Sequence, residues 1–337
     1  MNYRAPIRFG VVGTGYAAQR RLDALVADDR AEVVLLSGHT PEKTQTIADK
    51  YGGLKTRPWM ELVQSEQVDV VVIGNVNSQH GPVARAALNA GKHVVVEYPL
   101  CFEPEDAIAL IALAQEKQRL LHIEHIELLG SLHQTLGAHL EAIGEPVYAR
   151  YTTITPQRPV PSRRWTFNRD LFGFPLVAAL SRLHRFTNLF GPVATVSAQH
   201  REWHNATMQS PYFSACLTQA QLRFETGLQA DITYGKGEIF WQGYRDFELH
   251  GDRGSISFYG AEGTLRTSEG EKSITLPSRR GLFTQDTQQV LAHLLDPAQP
   301  LYVRTSSSLQ ALTVATAAQQ SALTGQTVKV KELSAPR

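Results

Sequence analysis

The chain opens on an apolar hexapeptide, Ile7–Val12, that runs straight into glycine. Similar apolar runs recur at residues 33–37, 68–74, 93–97 and 120–124. Between them the apolar positions fall at helical spacing, which predicts helices over 18–27, 41–51, 60–64, 80–90 and 103–117. Pro41 suits the first turn of its helix. Strands that are apolar on every position must be covered on both faces. Their alternation with helices therefore predicts a doubly wound parallel sheet of the Rossmann type over residues 1–125.

The rhythm changes near residue 126. A helix is expected over 126–142, followed by the turn Gly144-Glu145-Pro146. Residues 147–154 then alternate apolar and polar, as a half-buried strand does. Further strand patterns cover 193–200, 216–224, 227–234, 246–250, 255–259, 263–267 and 272–276. Several are separated by glycine turns such as Glu225-Thr226-Gly227. Helices are expected at 174–189, 284–295 and 306–323, and the Pro- and Arg-rich stretch 156–164 reads as a loop. The fold class is thus α/β: an N-terminal doubly wound parallel sheet, then an α+β domain over 126–337 with a large, mostly antiparallel sheet.

Composition narrows the function classes. The 337 residues carry 33 Lys and Arg against 32 Asp and Glu, a net charge of +1. That balance gives no bulk reason to bind nucleic acid or a membrane surface. No apolar run approaches the ~18 residues of a membrane span, and the N-terminal residues lack an apolar signal core. A soluble, cytoplasmic protein is expected. The two cysteines, Cys101 and Cys216, are not at metal-binding spacing and read as buried thiols of a reducing compartment.

The first strand leads into Gly13-Thr14-Gly15-Tyr16-Ala17-Ala18. The first glycine permits a tight turn, the second lets backbone approach a pyrophosphate, and the small Ala18 lets helix and strand pack closely. Phosphates are then met by the N–H groups of the helix N-terminus. NAD sites place an acid after the second strand to hold the ribose 2′-hydroxyl. Here that segment reads Ser37-Gly38-His39-Thr40, with no carboxylate before Glu42. Ser37, His39, Thr40 and Lys43 suit a 2′-phosphate, so NADPH is the expected cofactor, with NADH as the alternative.

Two further stretches, Asn75-Val76-Asn77-Ser78-Gln79-His80 and Gly91-Lys92-His93-Val94-Val95-Val96-Glu97, make the chain resemble the glucose-fructose oxidoreductase / inositol dehydrogenase superfamily. The resemblance implies that Asn75, Asn77, His80 and Glu97 lie at the cofactor. It also breaks in two places. Where the superfamily has Glu-Lys-Pro, with a catalytic lysine, this chain has Glu97-Tyr98-Pro99. Where sugar-oxidising members carry Asp-x-x-x-His-x-x-Asp, it has Ala178, Arg182 and Arg185. Oxidising an alcohol needs a base, and an arginine cannot be deprotonated. Two arginines three residues apart lie instead on one helical face and suit an anion that accepts electrons.

Those departures are similar to the biliverdin reductases, the cyanobacterial type above all. Residues 13–21, 122–130, 172–182, 234–238 and 278–283 also carry that likeness. It implies hydride transfer from NADPH to the central methine of biliverdin, an anionic linear tetrapyrrole, giving bilirubin. Arg182 would then stabilise negative charge developing on the bilin, and Arg185 would assist or hold a propionate. The proton would come from a water polarised by Arg182 or from the Tyr98 phenol; Tyr98 equally suits a structural role. His125 and Glu127 are expected near the substrate, where the first domain hands over to the second. Arg163, Arg164, Arg279 and Arg280 read as solvated loop charges or propionate contacts, and Trp165 and Phe167 as core or as stacking rings. No metal is expected at His122, Glu124, His125 and Glu127. The rival readings are a sugar or cyclitol oxidoreductase and a non-catalytic nucleotide or bilin sensor. A monomer is expected, by the same likeness.

Overall fold

The computed structural model describes residues 5–159, 163–206, 208 and 210–331. Three residues of the expected 156–164 loop and the start of the N-terminal segment lie outside that set. Two compact units emerge: residues up to Leu129 together with Arg280–Leu309, and Gly130–Arg279 together with Gln310–Leu333.

In the first unit β1 (Ile7–Val12), β2 (Ala31–Ser37), β3 (Lys55–Thr56), β4 (Val70–Ile73), β5 (His93–Glu97) and β6 (Leu121–Glu124) form a parallel sheet in the order β3-β2-β1-β4-β5-β6. The connections are α1 (Tyr16–Val26), α2 (Pro41–Lys50), α3 (Trp59–Gln64), α4 (His80–Asn89) and α5 (Pro104–Glu116). All four side chains of β4 are buried, as its unbroken apolar run requires. The chain leaves β1 toward one edge and leaves β4 toward the other. Such a reversal opens a crevice at the carboxyl ends of the strands.

The second unit begins with α6 (Ser131–Ile143) and β7 (Pro146–Pro156), then the short helices α7 (Arg169–Phe172) and α8 (Pro175–Ala178), and α9 (Ser181–Phe190). The strands β8 (Val193–Trp203), β9 (Ala215–Phe224), β10 (Gln229–Gly237), β11 (Tyr244–Gly251), β12 (Gly254–Tyr259), β13 (Glu262–Thr267) and β14 (Gly270–Thr275) follow. They order as β14-β13-β12-β11-β7-β10-β9-β8. The sheet is antiparallel except where β7 and β10 run parallel over nine residue pairs. Those two strands are joined by a long crossover rather than a hairpin, which permits the parallel pairing.

Two expected helices are divided. The 126–142 helix is a short turn at Ile126–Leu128 followed by α6, because Gly130 sits extended as the α6 N-cap. The 174–189 helix is α8 and α9, separated where Ala179 leaves helical geometry at φ −103° and ψ 38°.

A single boundary at residue 125 does not describe the units, because the C-terminal α10 (Leu282–Leu295) returns to the first. Val290, Leu291 and Leu294 join the core of Phe9, Val11, Leu22 and Val72. Each such side chain stabilises by roughly 2 kcal/mol. The next helix, α11 (Thr305–Thr324), carries the chain back to the second unit, where β15 (Val328–Lys329) pairs with β8.

Candidate active site

The glycine turn is shaped by close backbone contact. Gly13 has φ +132°, and a Cβ there would meet the Gly74 carbonyl oxygen at 2.4 Å. Its N–H donates to Ser37 O at 2.8 Å, so the ends of β1, β2 and β4 converge on it. A Cβ on Gly15 would meet nothing nearer than 3.9 Å. That glycine is therefore not demanded by the protein's own packing. It keeps open the N-terminus of α1, which has no side-chain cap and no acid in its first turn. Ala18 is buried, and a Cβ on Gly74 would lie 3.3 Å from its nitrogen, the close packing its small side chain permits. Thr14 is half-buried, Ala17 is half-buried and Tyr16 is 75% exposed, its ring edge-on to Phe283.

After β2, Ser37 is buried while His39, Thr40 and Lys43 are exposed. Arg57, which the sequence reading passed over, comes beside them because its N–H donates to Leu36 O at 3.1 Å. Gly38 was also missed. A Cβ there would meet Thr44 Oγ1 at 2.2 Å and Thr14 Cγ2 at 2.6 Å, so this glycine packs the turn against α2.

At the end of β4, Asn75 Oδ1 and Ser78 Oγ are buried without a hydrogen-bond partner among the described residues. Orphaned polar atoms beside an open, positively polarised helix end fit a bound dinucleotide. Asn77 is buried in the short turn that follows. His80 is 1% exposed, with Nδ1 2.8 Å from Pro99 O and Nε2 3.4 Å from Asn75 O. Burial lowers its pKa, so a neutral ring donating to Pro99 O ties the loops after β4 and β5 together.

Glu97, Tyr98 and His125 come together in the first unit. The Tyr98 ring stacks on the imidazole of His125 with centroids 5.3 Å apart and planes 6° from parallel. His125 is fully buried; Nε2 lies 2.9 Å from Ser308 Oγ, and its N–H donates to Tyr302 Oη at 3.0 Å. His125 thus supports Tyr98 from beneath. Glu127 is half-buried in the turn beyond it. Among the described residues no group of three or more His, Cys, Asp or Glu is placed to hold a metal ion.

Behind these residues lies a buried charge cluster that the sequence reading did not single out. Arg21 of α1 donates to Asp286 of α10 and to Thr287 Oγ1 (2.9 Å). His122 Nε2 is 2.7 Å from Asp286 Oδ1. Burial alone would raise the Asp286 carboxyl, but the Arg21 charge and the bonds from His122 and Arg21 hold it well below the usual carboxylate range. No local signal marks this pairing, because the partners are 265 residues apart.

The second unit holds the arginine pair. Arg182, half-buried at the start of α9, lies over the Tyr234 ring at 5.5 Å and donates to Ser181 Oγ at 3.1 Å. Arg185 is 1% exposed and lies over Tyr151 at 5.6 Å. Tyr151 and Tyr234 belong to neighbouring strands, so both guanidinium groups lie on the helix-covered side of the sheet, as their spacing predicts. The neighbourhood is positive. Burial, with help from Arg185, pushes His133 down to about 4, and burial with His133 and Arg185 pushes His184 down to about 3.

Lys236 adds a further buried cation. It is ringed by Phe172, Phe167 and Phe213 at 3.5, 4.6 and 5.3 Å and donates to Thr166 O. Burial first, then Arg164 and Arg182, lower its ammonium to about 8. Phe167 is fully buried, a core ring, and Trp165 is half-buried against Phe172. Arg163, Arg164, Arg279 and Arg280 are exposed.

Comparison with known proteins gives a consistent picture. Residues 7–125 match the GFO/IDH/MocA oxidoreductase family model for the NAD-binding Rossmann fold, and residues 140–330 its C-terminal alpha/beta domain. The chain is similar to a Synechocystis biliverdin reductase solved with biliverdin and NADP+: 49% identity, TM-score 0.90, covering 94% of this chain and 99% of that one. It is 32% identical to human biliverdin reductase A over 205 residues, 60% of this chain. The match spans 65% of the human protein, just under two thirds of its length. A 3-ketoreductase from Actinomadura kijaniata, solved with TDP-benzene and NADP, shares the fold at 22% identity and TM-score 0.82, covering 94% of this chain and 98% of that one.

Proposed function

This chain belongs to the GFO/IDH/MocA oxidoreductase family, and from that premise we propose that it is an NADPH-dependent biliverdin reductase. The observation that carries the reading is the arginine pair. Arg182 and Arg185 stand on tyrosine rings amid Lys236 and neutral histidines, where a sugar oxidase needs a base. Such a positive, aromatic environment favours a flat dianion that gains electron density. The 49% identity to the Synechocystis enzyme supports the same substrate.

In this reading the open N-terminus of α1 and the Gly13–Gly15 backbone hold the pyrophosphate. Ser37, His39, Thr40, Lys43 and Arg57 surround the 2′-phosphate, and Asn75, Asn77 and Ser78 meet the nucleoside beyond it. Bound NADPH supplies the hydride. Arg182 stabilises charge on the bilin as that hydride arrives, and Arg185 pairs with a propionate. Tyr98, held flat by His125, is a packing surface for the reacting rings.

The protein acts as a monomer in the cytoplasm. The face of the second-unit sheet opposite α9 is polar and largely self-satisfied: Tyr148 donates to Asp231 at 2.9 Å, Arg150 to Glu248 at 2.6 Å, and Gln219, Gln221 and Arg223 are exposed. Both cysteines are free and buried, in keeping with a reducing compartment. Among the described residues no helix is long and apolar enough to cross a membrane.

The test is spectroscopic. Purified protein is mixed with biliverdin and either NADPH or NADH, and absorbance is followed. Conversion of the blue-green bilin to a yellow product, faster with NADPH, is expected. Binding without conversion supports a sensor, and no response to biliverdin returns the sugar or cyclitol reading.

A further inference from the structure

Glu97 and Glu124 end neighbouring parallel strands and are in register. Glu124 is 1% exposed. Its Oε1 accepts the Ile126 N–H at 2.6 Å, while Oε2 is buried and receives no donor from the described residues. The group facing it is the Glu97 carboxyl, which when ionised only accepts. Two facing acceptors without a donor are satisfied by a proton held between them. Among the described residues no group of three or more His, Cys, Asp or Glu is placed there to hold a metal ion.

We propose that Glu97 and Glu124 share one proton and serve as the proton store for bilin reduction, with Asp286 as the positioning residue that keeps the proton in place. This rests on the reductase reading above. The groups that face the pair are Arg21 from α1, His80 from α4, Asp286 from α10, and Tyr302, with His122 of β6 bonded to Asp286. Burial raises the Glu124 carboxyl well above its usual range, and the negative charges of Glu97 and Asp286 raise it further; Arg21, with Nη2 3.7 Å from Glu97, opposes them. Asp286 neutralises most of the Arg21 charge through its direct contact, and so keeps Arg21 from stripping the proton off the pair.

The reduction consumes one hydride, delivered to carbon, and one proton, delivered to a pyrrole nitrogen. The pair releases the proton and is left as two carboxylates beside Arg21. Glu97, 17% exposed, is the side open to solvent and takes up the replacement. Tyr98 follows Glu97 directly, so the store sits at the strand end that carries the stacked Tyr98–His125 rings.

Carboxyl carbon NMR of the NADP+-loaded protein should show one protonated carboxyl at neutral pH, lost in Glu124→Gln. Two ionised carboxylates would overturn the proposal whether or not biliverdin is the substrate. The second arm is the pH profile of turnover, which should fall on the alkaline side as the pair loses its proton. In Asp286→Asn that alkaline limb should move to lower pH, because removing the Asp286 charge makes the pair easier to ionise. Glu124→Gln should cut turnover by roughly a hundred-fold, the lower range for lost proton transfer, with NADPH affinity kept. An unmoved limb in Asp286→Asn, or full turnover in Glu124→Gln, would overturn the store. A fold defect would instead appear as weakened NADPH binding, and the NMR signal of the parent protein then decides.

Discussion

Arg21 and Arg185 are among the largest fully buried side chains of the molecule, one in each unit. Arg21 is closed by contacts to Asp286 and Thr287, and His122 completes the group. Arg185 lies over a tyrosine ring beside two histidines that its own charge helps keep neutral. Burying a charge costs several kcal/mol unless it is paired. The first unit recovers that cost inside the protein, where the network clamps α10 to α1 and fixes the turn that receives the cofactor. The second unit gathers cations, Arg182, Arg185 and Lys236, on aromatic surfaces. The first unit pairs its buried arginine with a carboxylate, whereas the second sets three cations on aromatic rings, a surface suited to a dianionic substrate.

The largest expected effect is acid lability at the buried histidines. His133 and His184 sit at about 4 and about 3, below the ordinary 6.5. The unfolded chain therefore binds more protons, so their stabilisation is complete above 6.5 and is lost as pH falls through that window. At about pH 5 the loss is roughly 2 kcal/mol per histidine, or ~4 kcal/mol for the second unit. In the first unit His93, at about 4, loses roughly 2 kcal/mol, and His80, also lowered by burial, adds to it. Amide exchange at falling pH should show α6 and α9, which carry His133 and His184, losing protection between about pH 6.5 and 5. Unchanged protection of those helices would contradict the buried neutral histidines.

The next effect acts on the first unit. Gly13→Ala places a Cβ against the Gly74 carbonyl at a φ of +132°. Strain of about 3 kcal/mol should weaken NADPH binding roughly a hundred-fold by calorimetry, while biliverdin still binds. Loss of both ligands together would mean the units do not divide the work.

The smallest effect probes the other half. Lys236→Met removes a buried ammonium already lowered to about 8. The melting temperature should hold or rise, since a buried charge is costly. The KM for biliverdin should rise roughly ten-fold, about 1.4 kcal/mol of lost attraction. A drop in melting temperature with unchanged KM would make Lys236 a purely structural cation.

What the sequence disclosed follows the range of each interaction. The glycine turn, the apolar strands and the arginine spacing are local, so Gly13, Gly15, Ala18 and the shared face of Arg182 and Arg185 were legible from neighbours in the chain. Gly38 and Arg57 were not, because their roles depend on contacts from Thr44 and Leu36 across separate elements. The return of α10 to the first unit was hidden for the same reason: Asp286 pairs with a residue 265 positions away. Glu124 was weighed as a metal ligand and set aside, and the role proposed for it depends on register with Glu97, which is a property of the assembled sheet. The division of the 126–142 helix was signalled by Gly130, while the break at Ala179 has no glycine or proline to announce it.

The most direct measurement is turnover of biliverdin by Arg182→Ala together with its NADPH affinity, both from one preparation. A fall of roughly a hundred-fold in turnover, the scale of a lost transition-state donor, with the NADPH Kd unchanged is the predicted result. Normal turnover would remove Arg182 from the chemistry and contradict the assignment of the second unit as the bilin half.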